Sequence, residues 1–123
     1  MNWSSRVECI ETESKSIPKE IGVYEIQGRI DSEKYTRRYV GMTDDLNRRF
    51  LEHLSDKEPN LELKKFLKNK KSFFRYSITK TVNMAKDIEK GLYEIHNHTY
   101  NDLNHPPSGS GGCLTVTVIE KNP

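Results

Sequence analysis

The fold is decided by Gly22-Val23-Tyr24-Glu25-Ile26-Gln27 and by Tyr35-Thr36-Arg37-Arg38-Tyr39-Val40-Gly41, which follows it. In the first segment Val23, Glu25 and Gln27 alternate with Tyr24 and Ile26, which is typical of a short strand. A polar stretch comes next, and the second segment then resumes β-rich residue types. The two segments predict an antiparallel hairpin with a fairly long loop.

A helix is predicted directly after the hairpin. Thr43-Asp44-Asp45 supplies an N-cap and acidic side chains for the first helical turn. The pattern predicts a helix from about Asp45 to Leu54. Its inner side is expected to carry Leu46, Phe50, His53 and Leu54.

The remaining elements follow in the order helix, strand, helix. A second helical pattern begins at Pro59-Asn60 and ends in a lysine-rich run before Ser72, and Phe73 to Thr79 is predicted as a third strand. Asn83 is the expected cap of a longer helix from Met84 to about His96. Its apolar arc contains Met84, Ala85, Ile88, Leu92 and Ile95. This order predicts an α+β domain with a small sheet.

Length and composition limit the class of protein. The 123 residues suffice for one small domain, and no apolar run approaches the roughly 18 residues of a membrane span. The first 15 residues are polar and acidic, without the apolar segment of a signal peptide. Cys9 and Cys113 lie far apart and have no partner at metal-ligand spacing, which disfavours a disulfide framework and a zinc site. We therefore expect a soluble, cytoplasmic protein.

Basic residues are concentrated in one part of the chain, although the formal net charge is only +2. Leu61 to Lys80 contains seven basic residues and one acid, Glu62, interleaved with aromatic side chains. Such a run suits contacts with a phosphate backbone. A solvated helix face followed by a basic strand edge accounts for the same run. The candidate nucleic-acid contacts are Arg48, Lys64, Lys65, Lys68, Lys70 and Lys71.

Several polar side chains fall at element ends or on one face, and each has an ordinary explanation when taken alone. Tyr24 and Tyr39 would be strand aromatics. Arg49 and His53 are spaced i,i+4 and share a helix face, as a surface pair would. Glu89 borders the apolar arc of the last helix, where a carboxylate either reaches outward or is held for a metal or a proton. A sixth candidate, Asn104, would be a turn residue.

Together these residues resemble the GIY-YIG nuclease family. Gly22-Val23-Tyr24 corresponds to the first triplet and Tyr39-Val40-Gly41 to the second, with Pro18 just upstream. The resemblance covers about Ile17 to Gly112. It divides the chain into a polar N-terminal extension (1–16), a GIY-YIG-like nuclease domain (17–112) and a C-terminal strand or tail (113–123).

The helices carry the rest of the resemblance. Thr43 to His53 is similar to the family's arginine helix, with Arg49 at the position of the catalytic arginine and His53 where the family has His or Tyr. Ala85 to Lys90 resembles the glutamate helix and contains Glu89. Leu103-Asn104 resembles the family's late Leu-Asn.

The resemblance implies a three-stranded antiparallel sheet flanked by helices and a metal-dependent endonuclease that hydrolyses DNA. Glu89 would hold one divalent cation, Mg²⁺ or Mn²⁺, and Arg49 would neutralise phosphate oxygens. Tyr39 would take a proton from the attacking water, either with a lowered pKa or through a relay. The implied catalytic residues are Tyr24, Tyr39, Arg49, His53, Glu89 and Asn104. A single-metal site also implies that a duplex is cut by two protomers, as in a homodimer, or in two successive events.

Met42 departs from the family pattern, because some members carry Lys or another polar residue directly after the second triplet. Lys71 or Arg48 could supply the missing cation. This departure leaves open a catalytically impaired nucleic-acid-binding module with the same fold. The segments outside the matched region leave open a role as the partner of another protein.

Overall fold

The computed structural model describes residues 1–31 and 34–101. The elements are β1 (Val7–Glu8), a 3₁₀ helix (Glu11–Ser16), β2 (Gly22–Arg29), β3 (Tyr35–Thr43), α1 (Leu46–Leu54), α2 (Leu61–Asn69), β4 (Ser72–Ile78) and α3 (Val82–Ile95). The protein is α+β, as the sequence predicts. None of the helices within these residues is long and apolar enough to cross a membrane.

The sheet has four antiparallel strands in the order β1-β4-β2-β3, so the prediction of three strands is wrong. The extra strand comes from the N-terminal extension, where Val7 pairs with Phe74 and Glu8 with Phe73. Two residues are too few to show an alternating pattern, and for this reason the sequence does not reveal β1. Segment 1–16 also contributes buried side chains, Trp3 and Cys9.

A β-bulge interrupts the pairing of β2 with β3. Ile26 pairs with Tyr39 and Gln27 with Arg37, which leaves Arg38 as the extra residue. A bulge of this kind redirects side chains that would otherwise alternate. Arg37 contacts Glu25 on one side of the sheet, whereas Arg38 lies over the ring of Phe66 on the other.

The sheet is covered on both faces. α1 and α2 cover one face, whose buried apolar residues are Cys9, Ile17, Tyr24, Ile26, Leu46, Phe50, Leu63, Phe66 and Phe74. α3 covers the other and packs on β2 and β3. That second cluster contains Trp3, Val23, Val40 and Leu92.

A buried ion cluster lies beside this second apolar cluster. The carboxylate of Glu25 accepts from Arg75 at 2.7 Å and from Arg37 at 2.5 Å, and it lies 2.8 Å from Nε2 of His98. Burial would raise the pKa of Glu25, but the hydrogen bond with His98 and the charges of Arg75 and Arg37 lower it to about 2. The guanidinium of Arg75 also lies 4.2 Å from the ring centroid of Trp3.

One of the two predicted helix caps is confirmed and the other is wrong. Asp45, one of the three residues predicted to supply the cap, caps α1, because its side chain accepts from the N–H of Arg48. Thr81, rather than Asn83, caps α3 and accepts from the N–H of Met84. Asn83 lies inside the first turn of α3, because the helix begins one residue before it, at Val82.

Candidate active site

The candidate site lies where the two glycine-containing triplets face each other across β2 and β3. Tyr24 pairs with Gly41. A Cβ at Gly41 would lie 2.5 Å from Cζ of Tyr24 and closer still to the hydroxyl. At the start of β2, a Cβ on Gly22 would lie 2.6 Å from the carbonyl oxygen of Ser77. Each triplet therefore needs its glycine for close packing, and Gly41 makes room for the Tyr24 ring.

A buried chain of three polar side chains runs from β2 through α1 into the α1–α2 connection. The hydroxyl of Tyr24 lies 2.6 Å from Nε2 of His53. Nδ1 of the same imidazole lies 2.8 Å from Oε2 of Glu58. All three side chains are nearly inaccessible to solvent. The order hydroxyl, imidazole, carboxylate is the one in which a carboxylate orients an imidazole that accepts the proton of a hydroxyl group.

The charge states fix the direction of these contacts. Burial would raise the pKa of Glu58, but its contact with His53 lowers it, so Glu58 is a carboxylate at neutral pH. Burial lowers the pKa of His53, so its imidazole is neutral. The carboxylate can only accept, so the 2.8 Å approach of Glu58 favours the tautomer with the ring proton on Nδ1, although the angle of this contact is not that of a hydrogen bond. Nε2 is then left to accept from the Tyr24 hydroxyl.

Tyr39 stands next to this chain. Its ring centroid lies 6.2 Å from that of Tyr24 and 5.3 Å from that of His53. Burial raises the pKa of Tyr39, and the charge of Arg49 only partly opposes the effect. Burial also raises the pKa of Tyr24 well above its ordinary value. Both phenols are therefore protonated at neutral pH.

Arg49 brings a positive charge to the two tyrosines. It lies on α1, one turn before His53, and its side chain is half-buried. Burial opposes its charge, yet the neighbouring Tyr24 and Tyr39 hydroxyls raise its pKa above the ordinary value. Its Nη1 lies 3.3 Å from Glu52 at the surface, so the guanidinium bridges the buried phenols and the solvent.

Glu89 reaches the same site from α3. Burial raises the pKa of its carboxyl group to about 7, partly opposed by a hydrogen bond from the backbone N–H of Met42. Glu89 in turn raises the pKa values of Tyr24 and Tyr39, which places its charge near both phenols. Met42 follows Gly41 directly, so the second triplet anchors this carboxylate.

The residues present fit a divalent cation bound mainly by water and substrate. Within residues 1–31 and 34–101, no group of three or more His, Cys, Asp or Glu side chains could hold a metal ion. Mg²⁺ is commonly bound through one or two carboxylates, with waters and substrate phosphates completing its shell. The carboxylate of Glu89 suits that mode, because burial penalises its negative charge and a cation would compensate it.

An open cleft of about 430 Å³ lies on the solvent side of the site and is lined by residues that include Met42, Arg48 and Arg49. Arg48 is exposed, and its Nη2 lies 2.5 Å from Asp44. Arg48 and Arg49 are cationic side chains that line this cleft together with Met42. Lys71 lies elsewhere, at a second cleft beside Gly28.

The basic residues predicted for nucleic-acid contact divide among three locations. Lys64 and Lys68 both bind Asp56, through its backbone and its carboxylate. Lys65 is exposed on α2. Lys70 and Lys71 line the second cleft, and Arg48 lines the first.

Asn104 lies outside the described residues, as do segment 113–123 and Cys113. A different asparagine fixes the edge of β3. The side-chain amide of Asn101 accepts from the N–H of Val40 at 2.9 Å and donates to its carbonyl oxygen at 3.0 Å. Val40 is the middle residue of the second triplet, so Asn101 supports the backbone on which Tyr39 and Gly41 stand.

Sequence reasoning missed Glu58. It lies in the connection between α1 and α2, where no periodic pattern singles out one acid among its neighbours. Its position five residues after His53 and directly before Pro59 is the available signal, because the turn ahead of a helix can return a side chain to the preceding helix.

In comparisons with known proteins, no family model matches the chain and no curated protein matches it significantly.

Proposed function

We propose that this protein is a metal-dependent endonuclease that hydrolyses DNA phosphodiester bonds, built on a GIY-YIG-like domain. The observation that carries the proposal is the convergence of Tyr24, Tyr39, Arg49, His53 and Glu89. They come from four separate elements. The ring centroids of Tyr24, Tyr39 and His53 lie within 6.2 Å of one another, and the charges of Arg49, which lines the open cleft, and of Glu89 act on both phenols. All five were selected as candidate catalytic residues from the sequence.

Arg49 suits the role of phosphate clamp. A guanidinium can donate two N–H groups to the non-bridging oxygens of one phosphate, and its charge offsets the negative charge that develops during hydrolysis. Its position between buried phenols and an open cleft limits competition from water. The surface contact with Glu52 is long, at 3.3 Å, so substrate can displace it.

The chain Tyr24–His53–Glu58 suits proton removal from the attacking water. The hydroxyl oxygen of Tyr24 would take the proton of water while its own proton passes to Nε2 of His53. Glu58 would stabilise the imidazolium that results. A route through Tyr39 alone requires a lowered pKa, whereas burial raises the pKa of Tyr39. We therefore assign Tyr39 to orientation of the water.

Glu89 is the residue that would hold a divalent cation. Such an ion, when bound, would neutralise charge on the phosphoryl group and stabilise the departing oxygen. The backbone N–H of Met42, a residue that lines the cleft, donates to the Glu89 carboxylate. The charge of Lys86 lowers the pKa of Glu89 and partly opposes the effect of burial.

One observation favours a second candidate function, a nucleic-acid-binding module without turnover. Met42 lines the cleft at a position where an apolar side chain can neither bind phosphate nor assist a proton transfer. Arg48 stands beside it but is engaged with Asp44 and Glu52.

A cleavage assay separates the two candidates. The purified chain is incubated with duplex, single-stranded, flap and junction DNA in Mg²⁺, in Mn²⁺ and in EDTA, and binding is followed in parallel by mobility shift. The endonuclease proposal predicts scission that EDTA abolishes. Mobility shifts without scission of any substrate in either metal would favour the binding module.

A further inference from the structure

A second cleft, of about 600 Å³, lies at the other end of the β2–β3 hairpin, and the proposed chemistry does not use it. Four cationic side chains line it, with Asp31 as the one acid among its described lining residues. The cationic residues are Arg29, Arg38, Lys70 and Lys71. The concentration of positive charge in a concave surface suits an anionic ligand.

Arg38 is the centre of this cleft. The bulge directs its side chain away from the Glu25 cluster, which Arg37 occupies instead. Its guanidinium carbon lies 5.4 Å from the ring centroid of Phe66 and 5.6 Å from that of Tyr100. The guanidinium thus lies within cation–π distance of two aromatic rings.

The polar atoms of Arg38 are poorly satisfied within the part of the chain that the structure describes. Its Nε is buried without a hydrogen-bond partner, and its Nη1 makes one long contact, 3.4 Å, with Thr99. Arg38 forms no ion pair with a described residue, in contrast to Arg37 and Arg48. The guanidinium therefore keeps N–H donors from which an anion in the cleft can accept.

Gly28 makes room beside this side chain. A Cβ at Gly28 would lie 3.0 Å from Oγ1 of Thr36, 3.2 Å from Nε of Arg38 and 3.2 Å from Cζ of Phe66. The backbone of β2 therefore approaches Arg38 as closely as a glycine allows. Lys70, at the C-terminal end of α2, is exposed and faces the same space.

The spacing along β2 relates this cleft to the candidate active site. Tyr24 and Gly28 are four residues apart on the same strand and on the same face of the sheet. At about 3.3 Å per residue they are separated by roughly 13 Å. One strand of duplex DNA presents a phosphate every ~3.4 Å of axial rise while it winds around the axis, so two sites at this separation can contact phosphates of the same strand that lie a few nucleotides apart.

We propose that the cleft formed by Arg38, Lys70 and Lys71 binds a backbone phosphate of the nucleic-acid strand, a few nucleotides from the bond that is cut. This inference rests on the proposed function, because it assigns part of the substrate to a second contact. The guanidinium of Arg38 would donate N–H groups to the phosphate oxygens, and Lys70 and Lys71 would add positive charge. The contact would set the register of the strand without reading base sequence.

Binding in EDTA tests the proposal without turnover. A labelled duplex is titrated at several salt concentrations with wild type, Arg38→Gln, the double variant Lys70→Gln/Lys71→Gln, and Lys90→Gln as a matched control on α3. Each lost phosphate contact should lower the slope of log K against log salt by about 0.9. We expect weaker binding and a shallower slope for the first two variants, and wild-type behaviour for Lys90→Gln. Thermal unfolding verifies that each variant is folded.

If Arg38→Gln is destabilised, the double variant Lys70→Gln/Lys71→Gln still tests the proposal, because both lysines are exposed. Unchanged affinity and slope in the folded pocket variants would overturn the inference while leaving the proposed endonuclease intact. Absence of both binding and scission in the wild type would overturn the proposed function as well. A further arm titrates inorganic phosphate against the protein and follows binding at the cleft by NMR. If inorganic phosphate saturates the cleft while the variants bind DNA as the wild type does, the assignment of the cleft to a polynucleotide strand is contradicted.

Discussion

The hydroxyl oxygen of Tyr24 and Nε2 of His53 lie 2.6 Å apart, which links the first strand of the hairpin to α1 through a buried hydrogen bond. On the far side of the ring, Glu58 orients the imidazole from the α1–α2 connection. In the proposed mechanism, this geometry makes Tyr24 one end of a proton path. The first predictions concern that path.

Tyr24→Phe removes the hydroxyl and retains the ring. We expect the cleavage rate to fall by about 10²–10⁴-fold, because proton transfer loses its positioned acceptor. Stability should fall by only about 1–3 kcal/mol, since Nε2 of His53 is left without a partner. Single-turnover cleavage and thermal unfolding measure the two effects. A folded variant with wild-type cleavage would exclude Tyr24 from the proton path.

Glu58→Gln tests a positioning role. The amide cannot stabilise an imidazolium as a carboxylate does, so the pKa of His53 should fall further and the maximal rate should decrease about 10–100-fold. Because His53 must be neutral to accept a proton, the acidic limb of the pH–rate profile should move to lower pH. The control is Glu62→Gln, an exposed acid in the first turn of α2, which should leave the profile unchanged. A purely structural role for Glu58 would lower the rate without moving that limb.

Gly41→Ala should displace the Tyr24 ring. A Cβ at this position would lie 2.5 Å from Cζ of Tyr24, and relief requires movement of a buried side chain. Overpacking of this kind costs about 1–3 kcal/mol, and the proton path should be lost with the displaced hydroxyl. Gly22→Ala is the comparison, because its Cβ would meet Ser77 and Leu46 rather than Tyr24. Equal losses of activity at equal losses of stability in both variants would argue against a specific effect on Tyr24.

The Glu25 cluster predicts how stability depends on acid. The pKa of Glu25 is about 2 in the folded protein against an ordinary value of 4.5, so its contribution is complete above pH 4.5 and is lost as the pH falls toward 2. The contribution is about 3 kcal/mol. Glu25→Gln should destabilise the protein by about 3–5 kcal/mol at neutral pH, because the buried guanidinium of Arg75 loses its ion pair with Glu25. Urea unfolding across this pH range tests both statements. A Glu25→Gln variant as stable as the wild type at pH 7 would refute them.

The sequence predicts the elements with strong periodic patterns and fails where tertiary contacts decide. The spacing of Leu46 and Phe50 identified α1 and its buried side, and both residues are fully buried. In α3 the predicted arc is only partly buried, because Met84 and Ile95 are 47% and 54% exposed at the two ends of the helix. A packed sheet covers the middle of a helix more completely than its ends.

Two features of the candidate site are invisible to periodicity. The bulge at Arg38 has no signature in the residue types of β3, so the sequence fits a continuous strand as well as a bulged one. The contact between Glu58 and His53 depends on how the α1–α2 connection turns, which the sequence alone does not specify. The candidate residues Tyr24, Tyr39 and Arg49 were selected through the resemblance of the two triplets and of the first helix to the GIY-YIG nuclease family.

The central claim is that Glu89 and Arg49 serve the hydrolysis of DNA, and single-turnover scission of duplex DNA in Mg²⁺ tests it most directly. The account predicts scission by the wild type that EDTA abolishes. It also predicts rates at least about 10²-fold lower for Glu89→Ala and for Arg49→Ala, with circular dichroism spectra unchanged. Scission at the wild-type rate by either folded variant would contradict the account.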